Sequence, residues 1–449
     1  MSSYLSNDLL GAVFGDPEVN PHFSDRARLQ AMLDVEVALA EVEADLDVIP
    51  RQAVAAIRTA AQADRYDFGA IAADAANDGN LAIPLVRRLT QTVEALDRDA
   101  ARYVHWGATS QDIIDTGLVL QLQRAVPPIL RNLDSAAAAA AAHARRYIDT
   151  VMAGRTWLRQ STPVTFGVKA AGWVDALTRQ RKALERALDD ARVLQFGGAS
   201  GTLAALGDQG AVVADRLASR LGLQAPDIPW HTHRDRLVRF ACALGVACGT
   251  LGKIGRDLSL LGQTEVGEVI EGRTGGSSAM PHKQNPVDAS VALAAAVRAP
   301  GLVATMLAAM PQEHERGLGG WQAEWVTLPD LVLVTAGAAR AVATAVEGLR
   351  VDEARMRKNL DLTGGLIASE AVAMALAVHV GRSEAHRIVE EAANRARAAG
   401  NTLADALRAD PAVTRYLTRA DIERELSPER YVAAARALVE RVVRRTADV

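Results

Sequence analysis

Apolar side chains recur at alternating steps of three and four residues along one stretch of the chain. The members of this series are Leu237, Phe240, Leu244, Ala247, Leu251, Ile254, Leu258 and Leu261, and no proline lies between Trp230 and Met280. This spacing places every member on one stripe of an α-helix, which neighbouring helices must cover. At 1.5 Å per residue the proline-free stretch allows a helix of roughly 40 to 60 Å. The series therefore predicts a bundle of long helices.

The remainder of the chain favours the same class. Aromatic residues make up only 4% of the composition, and the alanine run 136–142 lies inside a longer helical pattern. Ser24 or Asp25 can cap a helix that begins near Arg26 and continues towards Leu46. We find no alternation of apolar and polar residues long enough to predict a useful strand. The expected fold is all-α.

Breaks in these patterns divide the 449 residues into three helical domains. The pattern is interrupted at Gly107–Ser110 and again at Gly364–Gly365, where glycines stand next to each other or next to cap residues. We predict an N-terminal domain at about 1–108, a central long-helix bundle at 109–360 and a C-terminal domain at 361–449.

Net charge, apolar runs and cysteine spacing limit which binding partners and which cellular location we expect. Fifty basic residues against fifty-four acidic ones leave a net charge of -4, so no positive field draws in nucleic acid or anionic membranes. We found no uncharged apolar run near ~18 residues and no signal-peptide pattern at the N-terminus, so we expect no membrane span and a cytoplasmic location. Cys242 and Cys248 lack a CxxC spacing and are expected to be free, buried thiols.

The richest chemistry lies in residues 275–286, which read GGSSAMPHKQNP. A loop with this glycine and serine content can bring backbone N–H groups close to a ligand. It supplies a hydroxyl that can act as base or nucleophile (Ser277 or Ser278), a cation (Lys283) and an amide (Asn285). This set suits an anionic substrate from which a proton is removed.

Two further segments carry candidate residues. Gly107–Asp112 reads GATSQD before a predicted helix, where Thr109 or Ser110 can cap the helix and free N–H groups attract a carboxylate. Taken alone, such a segment is most often only a cap. Residues 154–160 read GRTWLRQ, and we expect Arg155 there to be structural.

For most of the other polar residues we expect a structural or surface role, or assign no role. Glu265, Glu268 and Glu271 stand at helical spacing and are expected on a solvated or salt-bridged face. Five histidines lack any partner pattern and receive no role: His22, His105, His143, His379 and His386. His231 and His233 fit either a site or a core. No metal-ligand spacing such as HExxH occurs, so we expect no metal site.

The loop at 275–286 resembles the signature GSSxMPxKxNP of the aspartase/fumarase superfamily, and residues 107–112 resemble its first signature, TSxD. The resemblance covers nearly the whole chain. It implies that Ser277 is catalytic, that Thr109, Ser110, Gln111, Lys283 and Asn285 bind a polycarboxylate substrate, and that no cofactor is used. It also implies a homotetramer with a twenty-helix core and active sites that three subunits share.

Many superfamily members have a general-acid histidine where this chain has Trp157, and adenylosuccinate lyases have a His–Asp pair that is absent around Asn77–Asn80. A carboxylate leaving group needs no acid, because its pKa is about 4. The chain therefore resembles the bacterial carboxymuconate cycloisomerase branch, which forms a lactone in protocatechuate degradation.

In that branch Trp157 and Gln160 would line the site, although a histidine is expected where Gln160 stands. Arg316 would contact a further carboxylate, or form an ion pair on a helix surface. Three alternatives stay open: a C–N lyase similar to adenylosuccinate lyase, a cycloisomerase for a sulfo-substituted muconate, and a non-catalytic protein that reuses the fold.

Overall fold

The computed structural model describes residues 8–447, so the first seven and last two residues of the predicted terminal domains lie outside the described residues. The α-helices are α1 (Asp8–Phe14), α2 (Asp25–Asp45), α3 (Ala53–Ala60), α4 (Phe68–Asp78), α5 (Ala82–Leu96), α6 (Ser110–Arg146), α7 (Phe166–Ala191), α8 (Gly210–Leu221), α9 (Asp235–Leu261), α10 (Val287–Ala309), α11 (Gly320–Glu347), α12 (Glu353–Leu360), α13 (Ser369–Val380), α14 (Arg382–Ala399), α15 (Leu403–Arg408), α16 (Pro411–Thr414), α17 (Arg419–Leu426) and α18 (Val432–Ala447). The all-α class is confirmed.

Short strands pair in three separate two-stranded ladders. They are β1 (Val151–Thr156) with β2 (Arg159–Thr165), β3 (Val269–Ile270) with β6 (Arg350–Val351), and β4 (Thr274–Gly275) with β5 (Asn285–Pro286).

The helix predicted from the apolar series is confirmed as α9, whose 27 residues span about 40 Å. All eight members of the series are buried, from Leu237 to Leu261. The helix predicted near Arg26 is also confirmed: α2 begins at Asp25, and the Ser24 hydroxyl accepts a hydrogen bond from the Ala27 N–H. Both helices follow from side chains close in sequence.

The expectation of no useful strand is wrong at residues 151–165, where β1 and β2 form an antiparallel hairpin. The register shifts between Ala153 and Gly154, and this bulge breaks the two-residue period that a strand search requires. The turn residues Trp157 and Leu158 both have positive φ, 52° and 62°, without the Asn or Gly that normally marks such a turn.

The chain divides into two compact units. Unit 1 comprises Met1–Leu133, Gln180–Lys253 and Val291–Ala341, and unit 2 comprises Asp134–Arg179, Ile254–Ser290 and Val342–Val449. The boundaries fall inside α6, α7, α9, α10 and α11. The division into three domains stays a prediction.

Each unit has an apolar interior. In unit 1, α2 packs on α3 and α8, and it buries Leu29, Met32 and Leu33. In unit 2, α13, α14, α15 and α17 enclose a cluster that includes Leu376, Ile388 and Leu407. The predicted break at Gly364–Gly365 is confirmed, since both residues have positive φ.

Three helices have the length and apolar composition of a membrane span: α9, α10 and α11. Each window contains one or two charged residues, so the sequence criterion of an uncharged run is stricter than this one, and the expectation of no membrane span stays a prediction. Most of the α11 window is buried inside the protein, whereas most of the α10 window is not.

Candidate active site

The first candidate segment surrounds the start of α6 in unit 1. Arg316, in the segment before α11, donates from its two terminal nitrogens to the Thr109 hydroxyl at 2.8 Å and the Ser110 hydroxyl at 2.9 Å. Its guanidinium also lies 6.0 Å from the centre of the Trp321 ring. Within residues 8–447 the contacts of Arg316 are these hydroxyls and the ring rather than a carboxylate, so its charge is left for an anion.

A buried carboxylate fixes the backbone beside these hydroxyls. Asp112 is fully buried and accepts hydrogen bonds from the backbone N–H groups of Thr109, Gly197 and Gly198 at 2.9–3.0 Å. It also contacts His231 Nε2 at 2.8 Å. Three backbone donors converging on one side chain hold the segment in a single conformation.

Glycine is required within this segment at Gly107. Its φ is 70°, and a Cβ at this position would lie 2.7 Å from the Leu206 side chain. A larger residue would therefore strain the backbone and displace Thr109.

A second buried charge cluster lies one turn further along α6. Arg234 is buried between Asp115 and Glu324, with nitrogen–oxygen distances of 2.6–3.1 Å. The Trp321 indole N–H donates to Asp115 at 2.9 Å. Burial raises the pKa of Glu324, although the neighbouring Arg234 charge opposes that shift. The cluster ties α6 to the start of α9 and to α11 within unit 1.

Gln111 is fully buried within the same network. Its amide nitrogen donates to Asp115 at 3.1 Å and to the His231 carbonyl at 2.8 Å. Its Oε1 has no hydrogen-bond partner among the described residues. The substrate-binding role predicted for Gln111 stays a prediction, and the oxygen left over can accept a hydrogen bond but cannot donate one to a carboxylate.

His105 lies four positions before Thr109 and has a positive φ of 60°. Its Nδ1 is 2.6 Å from Oε1 of Glu36 on α2. Glu36 and Glu43 are both buried on the inner face of α2, and neither Glu43 oxygen has a partner among the described residues. Burial, with the Glu36 charge added, raises the pKa of Glu43 to about 9.

The second candidate segment is the loop 275–286 in unit 2. The Ser277 hydroxyl oxygen accepts hydrogen bonds from the backbone N–H of Ala279 at 3.3 Å and of Met280 at 3.0 Å. The Asn285 amide donates to the Gly276 carbonyl at 3.1 Å. Lys283 is exposed, and no described carboxylate pairs with it. The loop thus presents a hydroxyl, an amide and an uncompensated cation.

The base of this loop is rigid. β4 and β5 pair Gly275 with Asn285, and a Cβ at Gly275 would lie 2.5 Å from the Val287 side chain. Glu271 accepts hydrogen bonds from the N–H groups of Asp288 and Ala289 at 3.0 Å, and Arg273 pairs with Asp288. Both ends of the loop are therefore held at the start of α10.

The solvated or salt-bridged use predicted for Glu265, Glu268 and Glu271 is confirmed for the first two: Glu265 is exposed, and Glu268, although buried, pairs with Arg155. It is wrong for Glu271, which is buried and accepts backbone hydrogen bonds, and the segment consists of turns and a short strand rather than a helix. A three-residue spacing alone could not distinguish a helix from successive turns, because no apolar residues accompanied it.

The hairpin β1–β2 in unit 2 carries Trp157 and Gln160. Trp157, at the tip, is 97% exposed, and Leu158 is 79% exposed. Below the tip, the Gln160 amide donates to the Asn359 carbonyl at 2.8 Å. The structural role expected of Arg155 is confirmed: its guanidinium bonds both oxygens of buried Glu268 at 2.7 and 2.9 Å. The base of the hairpin is fixed while its apolar tip is exposed.

The structure joins Thr109, Ser110, Gln111 and Arg316 in one network of unit 1. It places Ser277, Lys283 and Asn285 on one loop of unit 2, and Trp157 and Gln160 on the hairpin of the same unit.

Sequence reasoning gave His231 two possible uses and quoted Asp112 only as part of a motif. It gave no role to the other residues that support the first group: Glu36, His105, Asp115, Arg234 and Glu324. One signal was present for Asp112, since an acid three residues after Thr109 is typical of a capping box.

Among the described residues, no group of three or more His, Cys, Asp or Glu side chains is arranged to hold a metal ion. Both cysteines are free; Cys248 is buried and Cys242 half-buried, so the predicted burial is confirmed only for Cys248. Burial raises the pKa of the Cys248 thiol to about 11, which keeps it protonated and unreactive at neutral pH.

The sequence matches two protein families. Residues 15–301 match the lyase family, and residues 365–442 match the family described as adenylosuccinate lyase C-terminus. The first match covers more than half of the chain.

Named proteins are similar in sequence to this chain over nearly its full length. The chain is 53% identical to the 3-carboxy-cis,cis-muconate cycloisomerase of Pseudomonas aeruginosa over 99% of this chain and 97% of that protein. It is 50% identical to the protein of the same name from Bradyrhizobium diazoefficiens, over 99% of each.

Among solved structures, the crystal structure of the 3-carboxy-cis,cis-muconate lactonizing enzyme from Pseudomonas putida superposes with a TM-score of 0.93. It is 50% identical in sequence, and the match covers 98% of this chain and 99% of that one. The signature loop, the match to the lyase family and this structural similarity agree: the chain belongs to the aspartase/fumarase superfamily of lyases.

Proposed function

We propose that this protein is a 3-carboxy-cis,cis-muconate cycloisomerase, which interconverts that acid and 4-carboxymuconolactone. The observation that carries the proposal is the intact set of Ser277, Lys283 and Asn285 in a chain 53% identical to a cycloisomerase of this name. The place of the reaction would be the protocatechuate branch of aromatic degradation.

The reaction is an intramolecular addition within one substrate molecule. One carboxylate oxygen forms a C–O bond to a carbon of the substrate's own double bond. The electron pair of that double bond moves to the neighbouring carbon and its carboxyl group, giving an aci-carboxylate. A proton then adds to that carbon. The ionised substrate is a trianion and the lactone a dianion, so each turnover takes up one proton.

Ser277 is the proposed proton donor in the lactonising direction and the base in reverse. Two backbone N–H groups point at its oxygen, and such donors stabilise the negative charge that forms when the hydroxyl gives up its proton. The exposed ammonium of Lys283 adds a positive charge on the same loop. The alkoxide then recovers a proton from solvent.

Two groups of residues are proposed to bind the carboxylates. Thr109, Ser110 and Arg316 offer two hydroxyls and a guanidinium at the start of a helix, which is a favourable place for an anion. Lys283 and Asn285 would hold the carboxyl group on which the aci-carboxylate charge develops. Gln111 would act indirectly, because its amide nitrogen already donates to Asp115 and to the His231 carbonyl and its remaining Oε1 is an acceptor that cannot bind a carboxylate.

Trp157 supports the choice of a lactonising reaction. An indole N–H does not transfer protons at neutral pH, so the position that many relatives use for an acid cannot serve as one here. A carboxylate is a good leaving group without protonation, whereas an amine is not. Trp157 and Gln160 are proposed to shape the site at the hairpin.

We further propose that the protein assembles as a homotetramer in which subunits share active sites. Apolar side chains on the long helices support this: Val246 of α9 and Val297 and Leu307 of α10 are exposed. Most of the apolar α10 window is also not buried, and a contiguous apolar helix face is typical of an interface. A cytoplasmic location stays a prediction of the sequence.

A panel of three substrates tests the proposed function. The purified protein is incubated separately with 3-carboxy-cis,cis-muconate, a sulfo-substituted muconate and adenylosuccinate, and products are identified by proton NMR. We expect lactone from the first substrate at the highest kcat/KM. Fumarate release from adenylosuccinate would establish a C–N lyase, and preference for the sulfonated acid would reassign the substrate.

A further inference from the structure

Trp321, in the first turn of α11, contacts both Arg316 and a buried carboxylate. The centre of its ring lies 6.0 Å from the Arg316 guanidinium, and its indole N–H donates to Asp115 Oδ1 at 2.9 Å. The residue is buried. It therefore connects the cation that is proposed to bind substrate with the charge cluster inside unit 1, and the proposed mechanism does not yet use it.

The carboxylate that accepts from Trp321 is itself held firmly. Arg234 donates to both oxygens of Asp115 at 2.7 and 3.1 Å, and the Gln111 amide donates to Oδ2 at 3.1 Å. On the other side, the Trp325 ring packs edge-on against Trp321 with 4.8 Å between the ring centres. Rotation of Trp321 would break a hydrogen bond to a buried charged group, which is costly. The orientation of the Trp321 ring is therefore fixed.

The backbone around Arg316 is held by other contacts. The Gln312 amide donates to Glu324 Oε1 at 3.1 Å, and the Thr232 hydroxyl donates to the His314 carbonyl at 2.9 Å. These bonds fix the segment before Arg316, but they do not orient its long side chain. That orientation depends on the two hydroxyls that the guanidinium contacts and on the ring of Trp321.

The ring can orient the guanidinium without cancelling its charge. A carboxylate in the same place would pair with Arg316 and neutralise it. An aromatic face attracts a cation through its quadrupole and carries no net charge. The charge of Asp115 lies behind the indole and is paired with Arg234. Arg316 is thus held in place while its positive charge stays available to an anion.

We propose that Trp321 is a positioning residue for Arg316: its hydrogen bond to Asp115 fixes the ring, and the ring fixes the guanidinium that binds a substrate carboxylate. The inference rests on the proposed function for the role of Arg316. A displacement of a binding group by about 1 Å can cost on the order of 100-fold, so loss of this support should be measurable as a loss of substrate affinity.

The test uses the full-length protein and the variant W321F, which keeps an aromatic face but removes the N–H donor. The matched control is W173F, because Trp173 is also buried and its indole N–H donates to Asp257 at 2.8 Å in unit 2. Steady-state kinetics with 3-carboxy-cis,cis-muconate give KM and kcat, and calorimetry with propane-1,2,3-tricarboxylate gives a Kd without turnover. We expect W321F to raise both KM and Kd at least about fivefold, with a smaller change in kcat. W173F should leave all three constants unchanged.

A double variant shows whether the effect passes through Arg316. R316Q removes the cation that Trp321 is proposed to position, so W321F should not weaken tricarboxylate binding further in the R316Q background. A merely structural role of Trp321 would weaken binding in both backgrounds. If the wild type binds the tricarboxylate and W321F behaves as expected but no lactone forms, the proposed function fails while the positioning role of Trp321 stands.

Three results overturn the inference. One is a W321F protein, folded by circular dichroism, whose KM and tricarboxylate Kd equal those of the wild type. Another is an equal loss of affinity on W321F substitution with and without Arg316, or an equal loss in W173F. The third is a wild type that binds no tricarboxylate and turns over no muconate. If W321F does not fold, W321Y decides the question, since it also lacks the indole N–H.

Discussion

Arg316 donates a hydrogen bond to the hydroxyl of Thr109 at 2.8 Å although 207 positions separate them in the chain. This contact brings a residue of the segment before α11 to the N-terminus of α6, and a second guanidinium nitrogen extends it to Ser110. Replacement of Arg316 by Lys keeps the charge but cannot supply two donors in fixed geometry. We expect R316K to raise KM by about 10- to 100-fold, since a hydrogen bond that involves a charged group contributes about 1.5–3 kcal/mol.

Steady-state kinetics of R316K and R316Q measure this effect, with unfolding temperature as the check on structure. An R316K protein with the wild-type KM would remove Arg316 from substrate binding.

Replacement of Ser277 by Ala is expected to lower kcat by about 10²- to 10⁴-fold, the usual contribution of a positioned acid–base group. The adjacent hydroxyl of Ser278 provides a matched control, because it lies on the same exposed loop. S278A should lose far less activity than S277A. Equal losses, or a larger loss in S278A, would transfer the chemistry to Ser278.

Replacement of Arg234 by Gln leaves Asp115 and Glu324 buried together without their shared cation. Removal of one partner from a buried ion pair costs about 3–5 kcal/mol, so we expect a large fall in unfolding temperature. The fall should be smaller at low pH, where protonation relieves the repulsion between the carboxylates. The exposed pair of Arg26 and Asp64 provides the control: R26Q should leave the unfolding temperature almost unchanged. Equal effects of R234Q and R26Q would contradict this account.

Glu43 makes stability depend on pH. Its pKa of about 9 lies above the ordinary value of 4.5, so the folded state holds a proton that the unfolded state releases between these values. Stability is therefore lost as pH rises through that range, by at most about 1.4 kcal/mol per pH unit. E43Q has a neutral side chain of the same shape. The stability of E43Q relative to that of the wild type should therefore increase from pH 5 to pH 8.

Thermal unfolding across that pH range measures the effect. E94Q, at an exposed position of α5, is the control and should follow the wild type. An E43Q curve parallel to that of the wild type would show that Glu43 does not titrate as described.

Leu158 has a φ of 62°, a conformation that costs an ordinary residue about 1–2 kcal/mol and glycine almost nothing. L158G should raise the unfolding temperature slightly, whereas L158A keeps the strain and should not. If the exposed hairpin tip contributes to an active site that is shared between subunits, both variants lose activity. Wild-type turnover in both would show that the tip is not used.

The parts of the fold that sequence could predict are those set by neighbours in the chain. The stripe from Leu237 to Leu261 gave α9, and Ser24 gave the start of α2, because helix periodicity and capping act over a few residues. The hairpin at 151–165 escaped detection because its bulge removes the period of two and its turn contains Trp157 and Leu158.

The candidate site likewise contains residues that a local motif could predict and residues that meet only in the folded chain. Ser277, Lys283 and Asn285 stand within nine residues and were visible as a motif. The network around Asp112, Asp115 and Arg234 was not, because its members meet across about 120 positions and an isolated Asp or Arg in a helical pattern predicts only a solvated face. His105 received no role because Glu36, its partner, lies 69 positions away.

The most direct test of the central claim follows the ultraviolet absorbance of 3-carboxy-cis,cis-muconate, generated from protocatechuate, after addition of the purified protein without added metal. The proposed function predicts rapid loss of the conjugated absorbance, 4-carboxymuconolactone as product, and uptake of one proton per molecule converted. Unchanged absorbance in the presence of folded protein would contradict it.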